Sequence, residues 1–239
     1  MEGHLLSPLL KNSKGNYYSK IITTTLPWLV LVVSGGHTEI VWCKKIGTYE
    51  VLGRTLDDAA GEAFDKVARM LDLGYPGGVV ISHLSKQGNP EQYKLPRPMS
   101  TSNNYDFSFS GLKTACLYQT NDLKQQLGDQ FADIIPDYCA SLQEAIVDSL
   151  LIKFKRVLKK RKPKTALVGG GVSANLRLRK KFRQTLKKYN IPIYFPYQKF
   201  CMDNAAMIGL AAFHKYKRNE IYTTAEDINK VDRIPNLTY

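Results

Sequence analysis

The stretch LVVSGGHTEIV, Leu31 to Val41, decides how the chain is read. Strand-forming residues run into Ser34-Gly35-Gly36, pass His37 and Thr38, and resume as a strand. Hairpins usually turn on Asn-Gly or Asp-Gly; here the turn offers a hydroxyl, two bare backbone amides and an imidazole. It reads either as a Gly-rich hairpin or as a loop that holds an anion, because consecutive amides form an anion-binding concavity. Working outward, Trp28 to Val33 and Thr38 to Cys43 read as paired strands. Tyr49 to Arg54 follows as a third after the Ile46-Gly47 turn.

From Leu56 the apolar period becomes helical. Ala60, Phe64, Val67 and Leu71 predict a helix over Leu56 to Leu71, stopped near Gly74 and the breaker Tyr75-Pro76-Gly77-Gly78. A short helix is expected near Val80 to Gln87, then a polar stretch through Asn104. The alternating segment YDFSFSGLKTA, Tyr105 to Ala115, runs into a helix start. Phe131 to Lys160 carries a long amphipathic helix with Leu142, Ile146, Leu150, Phe154 and Val157 on one face, and Pro163 ends it. Thr165 to Val168 reads as a strand, followed by Gly169-Gly170-Gly171, a helix through Lys188, and a strand over Ile191 to Phe195. Asp203 is placed to cap a last apolar helix, Ala205 to His214. Lys11 to Lys20 reads as a loop and the C-terminal tail as polar. Three strands followed by alternating helices and strands give α/β with a mixed sheet.

With 239 residues, 44% of them hydrophobic, the chain can bury a sizeable core, and 23% charged residues exclude wholesale disorder. The net charge of +13 is uneven: Leu151 to Asn190 holds fifteen Lys or Arg and no Asp or Glu. Solvated basic helix faces explain this as readily as a surface for phosphate-rich partners such as RNA. Cys43, Cys116, Cys139 and Cys201 lack CxxC spacing, which argues against a zinc site or disulfide framework and for a reducing cytoplasm. Leu26 to Val33 is too short to span a bilayer, and no charged-then-apolar leader opens the chain. A soluble, cytoplasmic protein without membrane contact is expected.

Glycine lets backbone amides approach a ligand closely. GGGVSANLRLR, Gly169 to Arg179, sets three glycines between a strand and a helix N-terminus, which suits a nucleotide phosphate or ribose. It is neither a Walker A loop nor a dinucleotide fingerprint. Asp58, Glu62 and Asp65 share a helical stripe; dipole compensation accounts for Asp57 and Asp58, whereas Asp65 lies too deep for it and points to a hydroxyl-bearing or metal-associated ligand. His4 and Asp203 are candidate metal ligands, each also explained as a surface histidine or an N-cap. His37 reads as a donor to an anion at Gly35-Gly36 or as a polar strand residue, and His83 and His214 as structural.

Taken together, MEGHLLSPLL, VSGGHTEIV, LDDAAGEAFDKVARMLDLGYPGG, FSFSGLKTA, GGGVSANLRLR and CMDNAAMIG resemble, in this order, the tRNA threonylcarbamoyltransferase family of the bacterial TsaD type. The resemblance runs from Met1 to about Tyr216. It implies an actin-like ATPase fold and transfer of a threonylcarbamoyl group from threonylcarbamoyl-AMP to N6 of adenosine 37, beside the anticodon of tRNAs reading A-starting codons. It implies one divalent metal, usually assigned as iron, with zinc or magnesium as alternatives. Two histidines of an HxxxH helix and an aspartate hold that metal; His4 matches the second histidine and Asp203 the aspartate. Val32, Val33, Ser34, Gly35 and Gly36 match the substrate loop, and Asp65, Gly78 and Asn175 the surroundings of ribose and base. The implied partners are tRNA, a smaller actin-like paralogue of the TsaB type and an ATPase of the TsaE type.

The first metal histidine of the pattern would fall four residues before His4. The resemblance therefore implies that the first half-domain is largely missing. Residues 1–25 would be its remnant and connecting loop, 26–216 the nucleotide- and metal-binding domain, and 217–239 a polar tail. Two rivals remain at this level. A metal-dependent glycoprotein endopeptidase rests on HxxxH-type spacing alone, without HExxH or a glutamate beside His4. The second is a non-catalytic nucleotide-binding or scaffold fragment of the same complex; Ser34, His37, Asp65, Asn175 and Asp203 together speak for an active-site lineage, since a pure scaffold has no need of them.

Overall fold

The computed structural model describes residues 1–11, 22 and 25–220; the loop expected over Lys11 to Lys20, Lys11 apart, and the tail beyond 220 lie outside the described residues. Strands β1 (Trp28–Val33), β2 (Thr38–Lys45) and β3 (Thr48–Arg54) form an antiparallel meander. β4 (Thr165–Gly169) pairs parallel to β1, and β5 (Ile193–Tyr194) parallel to β4, giving the order β3-β2-β1-β4-β5. This is the mixed α/β sheet read from the sequence.

Every residue of β1 is buried because both sheet faces are covered. Leu29, Leu31 and Val33 face a core built with α2 (Ala60–Met70), α3 (Gly77–Leu84), α4 (Ser110–Leu127), α5 (Ile135–Arg161) and α6 (Leu176–Lys187). Trp28, Val30 and Val32 face a smaller core closed by α1 (Glu2–Leu6) and α7 (Ala205–Lys217). Leu5, Leu6 and Leu9, within the segment expected to be a remnant, are buried on that face. The predicted stripe Leu142, Ile146, Leu150, Phe154 and Val157 of α5 is fully buried. The cysteines are free and buried, and no helix among the described residues is long and apolar enough to cross a membrane.

Several local expectations are corrected. The helix predicted from Leu56 begins at Ala60, because the preceding backbone is committed elsewhere: the Leu56 amide donates to the Phe107 carbonyl and Thr55 Oγ1 to the Asp58 carbonyl. Asp58 therefore precedes α2 instead of sharing its stripe. It accepts ion pairs from Lys66 at 2.6 Å and Lys113 at 2.8 Å, and Lys66 also reaches Glu62. Nor does Asp57 serve α2. It accepts the Phe109 and Ser110 amides at 2.8 and 3.1 Å together with both serine hydroxyls, so it caps α4 from a distant loop. The last helix is capped by Asn204, whose Oδ1 accepts the Met207 amide at 3.0 Å, and not by its neighbour Asp203. The long helix starts at Ile135, with Phe131 in the 3-10 turn before it.

Burial alone pushes the Asp57 carboxyl upward, but the bonds from Ser108, Ser110 and the two amides outweigh it and hold it below its ordinary value. Asp57→Ala should cost about 1–2 kcal/mol, a melting loss of roughly 3–6 °C. Because the folded value is depressed, the wild-type advantage should be complete above about pH 4 and vanish as pH falls through the folded value. Thermal melts of both proteins at pH 7 and pH 3 check this.

The basic block is not one free surface. Lys153 is buried, donating to Ser102 Oγ at 2.6 Å and the Asn104 carbonyl at 2.9 Å, where it pins the loop before α4. Arg177 pairs with Glu144, Lys181 with Glu144 and Asp148, and Arg161 with Glu50. Arg179 donates to the Ser173 and Pro196 carbonyls.

Candidate functional site

The parallel strands carry their C-terminal ends to one edge of the sheet, where the β1–β2 turn, the Gly169–Gly171 loop and the N-terminus of α2 meet. The turn is a hairpin. The Ser34 amide donates to the His37 carbonyl at 2.8 Å, and the His37 amide donates to Ser34 Oγ at 3.1 Å. The Ser34 carbonyl in turn accepts the Gly61 amide at 3.1 Å, so α2 is docked onto the turn. Ser34 thus spends its amide, hydroxyl and carbonyl on shaping the loop.

Gly35 and Gly36 behave differently. Neither adopts a positive φ, and a Cβ added at either would meet nothing within 4 Å. Their amides make no hydrogen bond among the described residues. Neither backbone strain nor packing asks for glycine here; what the two residues provide is open space and two uncommitted donors.

That space is a cleft of about 790 Å³. Its walls are the Ser34–His37 turn, Gly171, His4 from α1, and Asp203 and Asn204 ahead of α7, with Met202, Met207 and Ile208 as an apolar side. His4 Nε2 lies 3.0 Å from Asp203 Oδ1. The histidine side chain is nearly buried at 11% exposure, whereas the aspartate is open at 88%. Burial lowers the His4 pKa, and the nearby Asp203 carboxylate only partly restores it, so the imidazole is neutral at pH 7. Its Nδ1 is buried with no partner among the described residues.

The glycines of Gly169-Gly170-Gly171 serve packing. A Cβ at Gly169 would overlap the His4 carbonyl, and one at Gly170 the Val33 carbonyl. At Gly171 it would stand 2.9 Å from Met202 Sδ. The loop is what allows α1 to bring His4 against the end of β4.

Of the residues singled out by sequence, Ser34, Gly35, Gly36, His4 and Asp203 converge on the cleft. Val32 and Val33 are buried with side chains in opposite cores, and only their backbone reaches the loop. Asp65 sits one turn along α2 from Gly61, where its Oδ1 accepts the Gly77 and Gly78 amides at 2.8 and 3.4 Å and holds the start of α3. Asn175 is buried as the cap of α6: Oδ1 accepts the Leu178 amide at 2.9 Å and Nδ2 donates to Gln143 at 2.6 Å. His37, left open by the sequence, and the Met202, Met207 and Ile208 wall also belong to the cleft. No periodicity marks that wall, because it forms only when α7 folds back onto α1.

A family model described as TsaD, tRNA N6-adenosine threonylcarbamoyltransferase, matches residues 1–210. A protein of that name from Buchnera aphidicola subsp. Baizongia pistaciae is 46% identical over 218 residues, covering 91% of this chain and 60% of its own length. A second, from Thermosipho africanus, is 46% identical over 213 residues, covering 88% and 61%. A third, from Syntrophotalea carbinolica, is 44% identical over 211 residues, covering 88% and 58%. The chain therefore spans about three fifths of the length of these relatives. A looser likeness is to the solved activator of 2-hydroxyisocaproyl-CoA dehydratase from Clostridium difficile with bound ADPNP, at TM-score 0.43 and 13% identity over 85% of this chain and 68% of that one. With the family match extending over most of its residues, the chain belongs to the TsaD family of tRNA N6-adenosine threonylcarbamoyltransferases.

Proposed function

We propose that the cleft binds threonylcarbamoyl-AMP and serves transfer of its threonylcarbamoyl group to N6 of adenosine 37 in tRNAs that read A-starting codons. The observation that carries this reading is the pair of open glycines, Gly35 and Gly36, which line a cleft walled by His4 and Asp203 and whose amides make no hydrogen bond among the described residues. The name of the relatives supports N6 of a tRNA adenosine as the acceptor. In the reaction the N6 lone pair attacks the carbamoyl carbon. A C–N bond forms, the C–O bond to phosphate breaks with its electron pair going to AMP, and the N6 proton passes to solvent in the open cleft.

The residues divide the work. The Gly35 and Gly36 amides donate to oxygens of the acyl phosphate, where charge accumulates as AMP departs. Asp65 Oδ2 has no partner among the described residues and can accept from a ribose hydroxyl, with Gly78 leaving room beside it. Asn175 caps α6 just after the glycine loop and ties it to Gln143 of α5, and the backbone of Val32 and Val33 leads into the turn. His4 and Asp203 fit a shared divalent ion, iron in the family's usual assignment. Donors about 2.1 Å from one ion stand roughly 3.0–3.4 Å apart, and this pair is 3.0 Å apart with the histidine neutral. No third ligand joins them among the described residues, so further donors come from outside that set. When bound, the ion supplies Lewis-acid polarisation of the donor's oxygens. The wider reading includes tRNA, a TsaB-type paralogue and a TsaE-type ATPase as partners in the cytoplasm.

Calorimetric titration with threonylcarbamoyl-AMP tests the pocket. Gly36→Val should fold like wild type, since a side chain there meets open space, yet bind the nucleotide at least about tenfold more weakly because it fills the anion site. Equal affinity in both proteins would remove Gly36 from the site.

A further inference from the structure

Among the described residues, no lysine lines the cleft. Pairing of Trp28 with both Cys43 and Thr165, and of Ala166 with Ile193, places the end of β2 and the starts of β1, β4 and β5 along one edge. The cleft lies at the other edge, where Val33 pairs with Thr38 and Val32 with Gly169. Six strand residues separate the two, about 20 Å. Exposed lysines come in pairs along the far edge: Lys44 and Lys45 end β2, Lys162 and Lys164 precede β4, and Lys187 and Lys188 end α6 ahead of β5. None of the six forms an ion pair with a described residue. Glu50, near this edge, is taken by Arg161, and Glu2 and Glu220 by Arg218.

Compensation of helix dipoles explains lysines in the last turns of α5 and α6. It does not explain Lys44, Lys45 or Lys164, which lie on no helix. Across β2, β1, β4 and β5 the row spans about 14 Å, which presents several cations at once to a polyanion. The apolar residues beside the lysines turn inward: Ile46 and Tyr189 pack on the two cores and Pro163 is buried. An anionic membrane surface would be met by exposed apolar anchors beside the cations, and these positions offer none.

We infer that this lysine edge is an RNA phosphate-backbone contact, separate from the cleft, that sets affinity while the cleft performs the chemistry. The inference rests on the proposed RNA substrate, and it adds a second, distant point of attachment. Sequence-independent attachment of this kind should show in the salt dependence, by roughly 0.7–0.9 in log–log slope for each phosphate that the lysines neutralise.

The test is tRNA binding by the full chain with all six lysines changed to glutamine, followed across 50–200 mM salt. The expected result is affinity about tenfold or more weaker at 100 mM salt, a shallower salt slope, and unchanged melting temperature and threonylcarbamoyl-AMP binding. Wild-type tRNA affinity and slope in the variant would overturn the inference, even if the nucleotide still binds in the cleft. Conversely, failure of threonylcarbamoyl-AMP to bind wild type, with lysine-dependent RNA binding intact, would count against the cleft reading alone. Loss of binding to phosphatidylserine vesicles with tRNA binding unchanged would reassign the edge to membranes and overturn the RNA inference.

Discussion

Replacing Gly170 by alanine is expected to destabilise the protein by about 3–5 kcal/mol, a melting loss on the order of 10 °C. Gly170 sits at φ 89° and ψ 166°, a region open essentially to glycine alone. The conformational cost is about 1–3 kcal/mol, and steric overlap adds to it. A Cβ would strike the carbonyl and nitrogen of Val33, the last residue of β1, which cannot yield without disturbing the ladder to β2 and β4. Gly35→Ala is the internal contrast, since its Cβ enters empty space and its φ is not left-handed. Stability there should stay within about 0.5 kcal/mol of wild type. Urea melts of the two variants side by side make the comparison; equal losses would mean that the two Gly-rich turns do not differ in duty as described.

The second large effect is on metal affinity. Asp203→Ala removes one of two converging donors and leaves His4 alone in a cleft that holds no third ligand among the described residues. Affinity for ferrous or zinc ion should fall by more than about 100-fold, beyond the 10–100-fold that loss of a mere supporting residue costs. Folding should change little, because the aspartate is 88% exposed and α7 keeps its Asn204 cap. Equilibrium dialysis with metal analysis checks the affinity, and an Asp203→Ala protein that retains the wild-type ion content would remove the pair as a ligand set.

The sheet was legible because β1, β2 and β3 follow the simplest rule: apolar runs broken by short polar turns. The long helix α5 was equally plain from its repeating buried positions. The site was harder. The glycines of SGG and GGG look alike in sequence, yet one turn leaves open donors and the other makes room for the His4 and Val33 backbones. Only the folded chain separates these duties, because each depends on what lies opposite. The same holds for the carboxylates of Leu56 to Leu71. Asp57 and Asp58 fit a helix start by spacing, but their partners, Phe109, Ser110 and Lys113, stand some fifty residues away. Asn175 and Asp65 were singled out as polar groups near a nucleotide, and both also do local structural work that spacing does not display. In the basic block, Lys153 and Arg177 were indistinguishable in sequence from Lys162 and Lys188. Burial and ion pairing sorted them.

Transfer itself is the most direct measurement: labelled threonylcarbamoyl-AMP, unmodified tRNA, a divalent ion and the TsaB- and TsaE-type partners, with wild type against Asp203→Ala. The account predicts label at N6 of adenosine 37 with wild type, and loss of most of that label with the variant. No label from wild type under these conditions, or undiminished labelling by Asp203→Ala, would contradict it.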